Sequence, residues 1–212
     1  MEKIDITKGF GLKTGRVEAL ADGIFAFAMT LLVLGIDIPK NIPRTDANQA
    51  LFQHLIGLIP QFLVYALAFA VLGSFWYNHQ KHFQYIERVD GRLLWINLFG
   101  LMFIALLPFT TSMAGDYGNH QMGILPMEIN LLLIALIFYH EWTYITSHPQ
   151  FLNQEIDAWT ATMGKEKSAV IIVISVISIG LSFFIPEWST TPYILIPFIH
   201  MNRRYRPPKM RA

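Results

Sequence analysis

The chain of 212 residues contains no cysteine. Disulfides and thiolate metal sites are therefore excluded. Charge is scarce too. Asp, Glu, Lys and Arg make up 15% of the residues, against 53% hydrophobic. So little charge cannot cover a water-facing surface, and a mean hydropathy of +0.40 agrees; this is the composition of a membrane protein. There is no HExxH run and no nucleophile–base motif, so nothing points to an enzyme. There is no TVGYG-like run, so any ion preference must come from side chains rather than a filter of carbonyls. The first fifteen residues are polar and basic, with no apolar core ahead of a cleavage site, which argues against a removable signal peptide.

What the chain does have is long apolar runs. Six transmembrane helices are expected, over about 14–38, 51–80, 93–113, 123–145, 168–185 and 191–203. The sixth is short and holds Pro192 and Pro197; Asn202 and a snorkelling Arg203 extend it. The stretch 146–167 reads as an interfacial or cytoplasmic connector. No soluble domain fits between the spans, so residues 1–212 form one all-α integral membrane domain. Fourteen of the sixteen Lys and Arg fall on one set of alternating sides; Lys40 and Arg44 are the other two. The positive-inside rule then places both termini in the cytoplasm, in the cell (inner) membrane, with an even number of spans.

The first apolar run is framed by charge. Arg16, Glu18 and Asp22 precede it, and Asp37 and Pro39 close it. At about 100° per residue, Leu20, Gly23, Phe27, Leu31 and Leu34 share one stripe, with Thr30 beside it and Asp22 pointing away. Apolar residues at this spacing ordinarily pack or face lipid. Thr30 fits either a hydroxyl bonding its own backbone or a group that replaces an ion's water. Arg16 and Asp22 are six residues apart and cannot pair as neighbours on one helix face. Partners on other helices are expected, and Trp76, His79 and Asn97 suit that role. His79 and His82 are three apart with Glu87 beyond, but no third ligand has convincing spacing, so no metal site is expected. His140 and Glu141 form an intramembrane ionisable pair and are functional candidates.

Three stretches carry a family resemblance. They are Arg16, Leu20, Ala21 and Asp22 in the first helix; SFWYNHQKHF, with Trp76, Asn78 and His79; and LLWINLFGLMFIALLPFTT, with Asn97, Pro108 and Thr110. Together and in order, these resemble the bacterial relatives of the lysosomal potassium channel called transmembrane protein 175. The resemblance implies a homotetramer of six-helix subunits whose first helices line a central pore. It implies that Phe27, Leu31 and Leu34 form the narrow apolar part and that Thr30 contributes potassium preference. It implies that Arg16, Asp22, Trp76, His79 and Asn97 form a structural polar network. Leu20 and Ala21 depart from the usual Phe and Ser, and Phe27 stands where Ile or Leu is common.

The function expected on this basis is passive conduction of cations, potassium preferred, through a hydrophobic gate. Potassium is the permeant, and no cofactor and no nucleic-acid partner are expected. The alternative is a proton-linked secondary transporter, motivated by Asp22, His79 and Glu141. Transporters commonly carry inverted repeats and broken helices, and neither is evident in the well-defined spans.

Overall fold

The computed structural model describes residues 12–37, 46–153 and 156–201. Lys3, Lys8, Lys40, Arg44, Glu155 and the basic tail lie outside the described residues. So do the far ends of the first and sixth expected spans, at 38 and 202–203.

The described chain is almost entirely helical. Helix α1 spans Thr14–Leu31 and tightens into a 3-10 turn over Leu32–Gly35. Next come α2 (Ala47–Gly57), α3 (Ile59–Phe83), α4 (Gly91–Asp116), α5 (Gln121–Thr146), α6 (Ala158–Ser182) and α7 (Leu195–Met201). Among the described residues, four helices are long and apolar enough to cross a membrane: Thr14–Gly35, Ile59–Phe83, Gly91–Asp116 and Gln121–Thr146. Helix α6 has the length, but Lys165, Glu166 and Lys167 interrupt its first half. Helix α7 is seven residues long as described.

Two boundaries differ from what the sequence predicts, each for a local reason. The stretch 51–80 is two helices, because Pro60 cannot continue α2: it lacks an N–H, and its ring would meet the carbonyl four residues back. Pro60 instead sits in the first turn of α3, where neither defect matters. Proline does not break α4 or α5, which carry Pro108 and Pro126 inside the helix. The connector 146–167 is shorter than expected, because Asp157 caps α6. Its carboxylate accepts from Thr160 N–H at 2.8 Å and from Thr160 Oγ1 at 2.9 Å. These donors hold the Asp157 carboxyl below its usual range.

A two-residue antiparallel pair closes one end of the bundle. Strand β1, Leu12–Lys13, lies against β2, Arg88–Val89, with Leu12 opposite Val89. It ties the start of α1 to the α3–α4 connection. The connector after α5 joins there too, through Glu87 N–H to Phe151 O at 2.8 Å and Asn153 N–H to Tyr85 O at 3.0 Å. Asp90 caps α4 by accepting from Leu93 N–H at 2.8 Å, and it also receives the Tyr144 hydroxyl at 2.7 Å. The cap therefore fixes α4 to α5 as well as ending it.

The core runs along the helix axes. Helix α1 buries Thr14, Val17, Ala21, Phe25 and Ala28, a three–four repeat that makes one face. It packs on Val71, Leu72 and Phe75 of α3 and on Leu101, Ile104 and Leu107 of α4. Helices α4 and α5 form the most extensive pairing. Gly100 permits it, since a Cβ there would stand 3.3 Å from Ile137 Cγ2. Gly164 does the same for α6 and α5: a Cβ would overlap the Trp142 indole, whose N–H donates to Ala161 O at 2.9 Å.

Candidate functional site

One side of α1 packs inside the subunit, and the other side is open. Phe27 is 69% exposed and Leu34 75% exposed, with Leu20 and Leu31 also exposed. Thr30 lies on the same open side, and its hydroxyl donates to Phe27 O at 2.8 Å. Its proton is therefore used within the helix, and its lone pairs remain for an outside partner. The 3-10 turn changes the projection at the far end. Side chains three apart eclipse in that geometry, so Leu34 stands over Leu31 rather than drifting from it. Val33, which an ideal helix points away from the stripe, is itself half exposed. Gly35 ends the turn against Ser112 of α4 with no room for a side chain.

The polar residues expected to hold the first helices together fall into two groups. On the open side, Asp22 Oδ1 accepts from Trp76 Nε1 at 2.9 Å and from Gln80 Nε2 at 2.5 Å. Trp76 and Gln80 are one turn apart on α3, so a single carboxylate oxygen joins two donors from one helix face. Arg16 is exposed and forms no hydrogen bond or ion pair with a described residue.

Deeper in, His79, His82, Asn97 and Glu141 are all buried. Asn97 Nδ2 donates to His79 Nε2 at 2.8 Å and reaches Glu141 Oε1 at 3.4 Å. His82 Nδ1 lies 3.0 Å from Glu141 Oε2. With Asn97 donating, His79 carries its proton on Nδ1. Phe25 of α1 tilts against the His79 ring at 5.9 Å, and Phe83 stacks on it at 4.3 Å. Trp142 stacks on His82 at 4.7 Å. The cluster joins α3, α4 and α5, and Phe25 of α1 packs on it. His140, next to Glu141 in sequence, is exposed. Among the described residues, no three His, Cys, Asp or Glu are grouped to hold a metal ion.

The structure therefore brings Asp22 to Trp76 and His79 to Asn97. It does not bring Arg16 to any of them. The sequence reading overlooks Gln80, although its spacing from Trp76 places it on the same face. It also overlooks the pairing of His82 with Glu141, which no spacing signals because the two lie on different helices.

Asp22 meets neutral donors rather than a cation, which sets a mild expectation for its amide variant. Both donors use Oδ1, and an Asn side chain keeps an acceptor in that position. Asp22→Asn should change stability by no more than about 1 kcal/mol, read as the unfolding midpoint in detergent. A loss of several kcal/mol would mean that the negative charge itself is needed.

A helical bundle of this hydropathy, with apolar faces outside and polar groups paired inside, is a multi-span membrane protein. The pattern of the family described as endosomal/lysosomal potassium channel TMEM175 matches residues 16–108. A Streptomyces collinus protein described as a potassium channel is 32% identical over 176 residues, covering 81% of this chain and 83% of its own. The crystal structure of a lysosomal potassium-selective channel TMEM175 homologue from Chamaesiphon minutus superposes with a TM-score of 0.77 at 25% identity, covering 92% of this chain and 98% of that one. A Gallus gallus relative described as an endosomal/lysosomal proton channel is 26% identical over 208 residues, and the match spans 41% of its length. The chain belongs to the TMEM175 family.

Proposed function

We propose that this chain is the subunit of a passive cation channel that prefers potassium. Four copies assemble about a central axis, α1 of each lines the pore, and both termini face the cytoplasm of the cell membrane. The remaining spans, α6 and the segment around α7, complete six crossings per subunit. The observation that carries the reading is the open face of α1. Phe27, Leu31 and Leu34 stand uncovered on a helix whose opposite side is fully packed, in a chain with potassium-channel relatives. One helix cannot enclose a pore, whereas four related by a closed cyclic symmetry can. Thr30, with its lone pairs outward, supplies the one side-chain oxygen on that face near the apolar rings. The polar groups hold α1 on α3 and keep α3, α4 and α5 in register.

The expected measurements are a particle mass of four subunits in mild detergent and unitary potassium currents from purified protein in planar bilayers. A stable monomer with full ion flux would remove the central pore.

A second reading has protons as the moving ion, by channel or by proton-linked transport. It rests on the vertebrate relatives described as proton channels and on the buried His79–Asn97–Glu141–His82 cluster. Saturable flux without unitary steps would favour transport. Unitary currents that follow the proton gradient rather than the potassium gradient would favour proton conduction.

A further inference from the structure

His140 and Glu141 are neighbours in sequence, and the fold turns them apart. Glu141 faces inward to His82. His140 is exposed and stands at one end of a groove between α4 and α5. The groove has a volume of about 320 Å³, the size of a small ligand cleft. One wall is Ile96, Phe99 and Phe103 of α4; the other is Leu133, Leu136 and Ile137 of α5. Gly100 stands between Ile96 and Phe103 on the same α4 face and has no side chain to fill the space. His140 is the one polar residue of this lining.

Positive charge gathers at the same end. Arg92 is exposed one turn before Ile96 on α4, and its guanidinium lies over the Tyr144 ring at 5.1 Å. Tyr144 is one turn beyond His140 on α5, so Arg92 and His140 flank one mouth. Among the described residues Arg92 has no ion-pair partner. The nearby Asp90 carboxylate is already engaged by Leu93 N–H and the Tyr144 hydroxyl. Exposed Trp95 lies at the same level, and tryptophan settles where headgroups meet acyl chains. The occupant follows from these walls. Helices that dock on one another in a membrane approach through small residues, and the six apolar residues here are all large. A flexible acyl chain needs no such approach. Arginine and an imidazole N–H both donate to phosphate oxygens, and basic pockets between membrane helices suit anionic headgroups. We propose that the groove seats one acyl chain of an anionic phospholipid, with the headgroup phosphate held by Arg92 and His140. The site is separate from the open face of α1 and does not depend on which ion the protein conducts.

The test uses the purified full-length protein in mild detergent, stripped of lipid. Phosphatidylglycerol is titrated in, with phosphatidylcholine of the same acyl chains as the second arm. Bound lipid is counted as mass added to the intact protein. One phosphatidylglycerol per subunit is expected, at a midpoint several-fold below that of phosphatidylcholine. Arg92→Gln removes one charge near the headgroup and should raise the phosphatidylglycerol midpoint by about fivefold, leaving phosphatidylcholine unchanged. Leu136→Trp puts an indole into the groove and should weaken both lipids by about tenfold or more. Leu136 is partly exposed, so the larger side chain does not enter the core. Val176→Trp makes a similar change on the exposed side of α6 and should bind as the wild type does. A wild type that takes both lipids equally overturns the proposal. So does Arg92→Gln with its preference intact, or Leu136→Trp with undiminished binding. A Leu136→Trp variant that changes the number of subunits but not the lipid bound would mean that a second copy of the chain covers the groove, which also overturns it.

Discussion

Replacing Glu141 by Ala should destabilise the protein by about 3–5 kcal/mol, the usual cost of breaking a buried pair from one side. For a chain of this size that is a fall of roughly 10 °C in the unfolding temperature. The carboxylate is the acceptor for His82 Nδ1 and for one Asn97 N–H. Without it, two donors from α3 and α4 face an apolar cavity beneath Trp142 and Phe138, whose rings already enclose His82. The loss therefore combines unmet polar groups with a void. Glu87→Ala is the control. Glu87 is exposed, and its substitution should stay within about 0.5 kcal/mol. The double variant His82→Leu with Glu141→Leu should recover most of the loss, because a buried pair replaced by apolar groups of similar volume is often neutral. If Glu141→Ala costs no more than Glu87→Ala, the three-helix cluster does not hold the bundle.

The membrane-crossing helices were legible because their signal is local. A run without charge long enough to cross leaves few other structures, since the backbone must satisfy itself. Pro60 shows where the signal stops. Proline disrupts equally at Pro60, Pro108 and Pro126 by composition, yet only the first separates two helices. At Pro108 and Pro126 the helix runs on, and neither segment taken alone carries a signal of that difference. The polar contacts divide in the same way. Trp76 and Gln80 lie one turn apart, so the face that meets Asp22 was readable. Which carboxylate His82 meets depends on how α3 and α5 are placed, and the sequence spacing between them carries no information on that. A charge near the bilayer boundary is costly, and on sequence alone this points Arg16 to a polar network. In the fold it sits at the β1 end of α1, facing outward, where such a charge reaches water or headgroups. A single acid in an apolar run, as Glu128 is in α5, carries no local signal of its partners, although Ser175, Ser178 and Ser182 share one face of α6 by their spacing alone.

Truncating Leu34 to Ala should raise cation current by about tenfold or more, and Leu31→Ala should raise it in the same direction. In the proposed tetramer, the 3-10 turn sets Leu34 over Leu31, so the two residues stack as successive apolar rings about the axis. An ion passing such a ring loses water and gains no ligand in return, which is costly. Each ring therefore acts as a barrier, and removing about 1.4 kcal/mol from a barrier raises the rate tenfold. Phe27→Ala acts on the same column one turn earlier, where the larger ring closes more of the path. The buried face supplies the control. Ala28 and Phe25 are almost fully covered within the subunit, so single cysteines there should stay protected from a small water-soluble thiol reagent. Cysteines at 27, 31 and 34 should react with it and change the current. The native chain has no cysteine, so every reaction reports the introduced residue. Val33 is half exposed in the subunit, and its reactivity locates the edge of the pore-facing arc rather than testing it. If truncation of Leu31 and Leu34 leaves the current unchanged while reagent reaches neither position, the open face of α1 looks onto lipid, and the conduction path lies elsewhere in the protein.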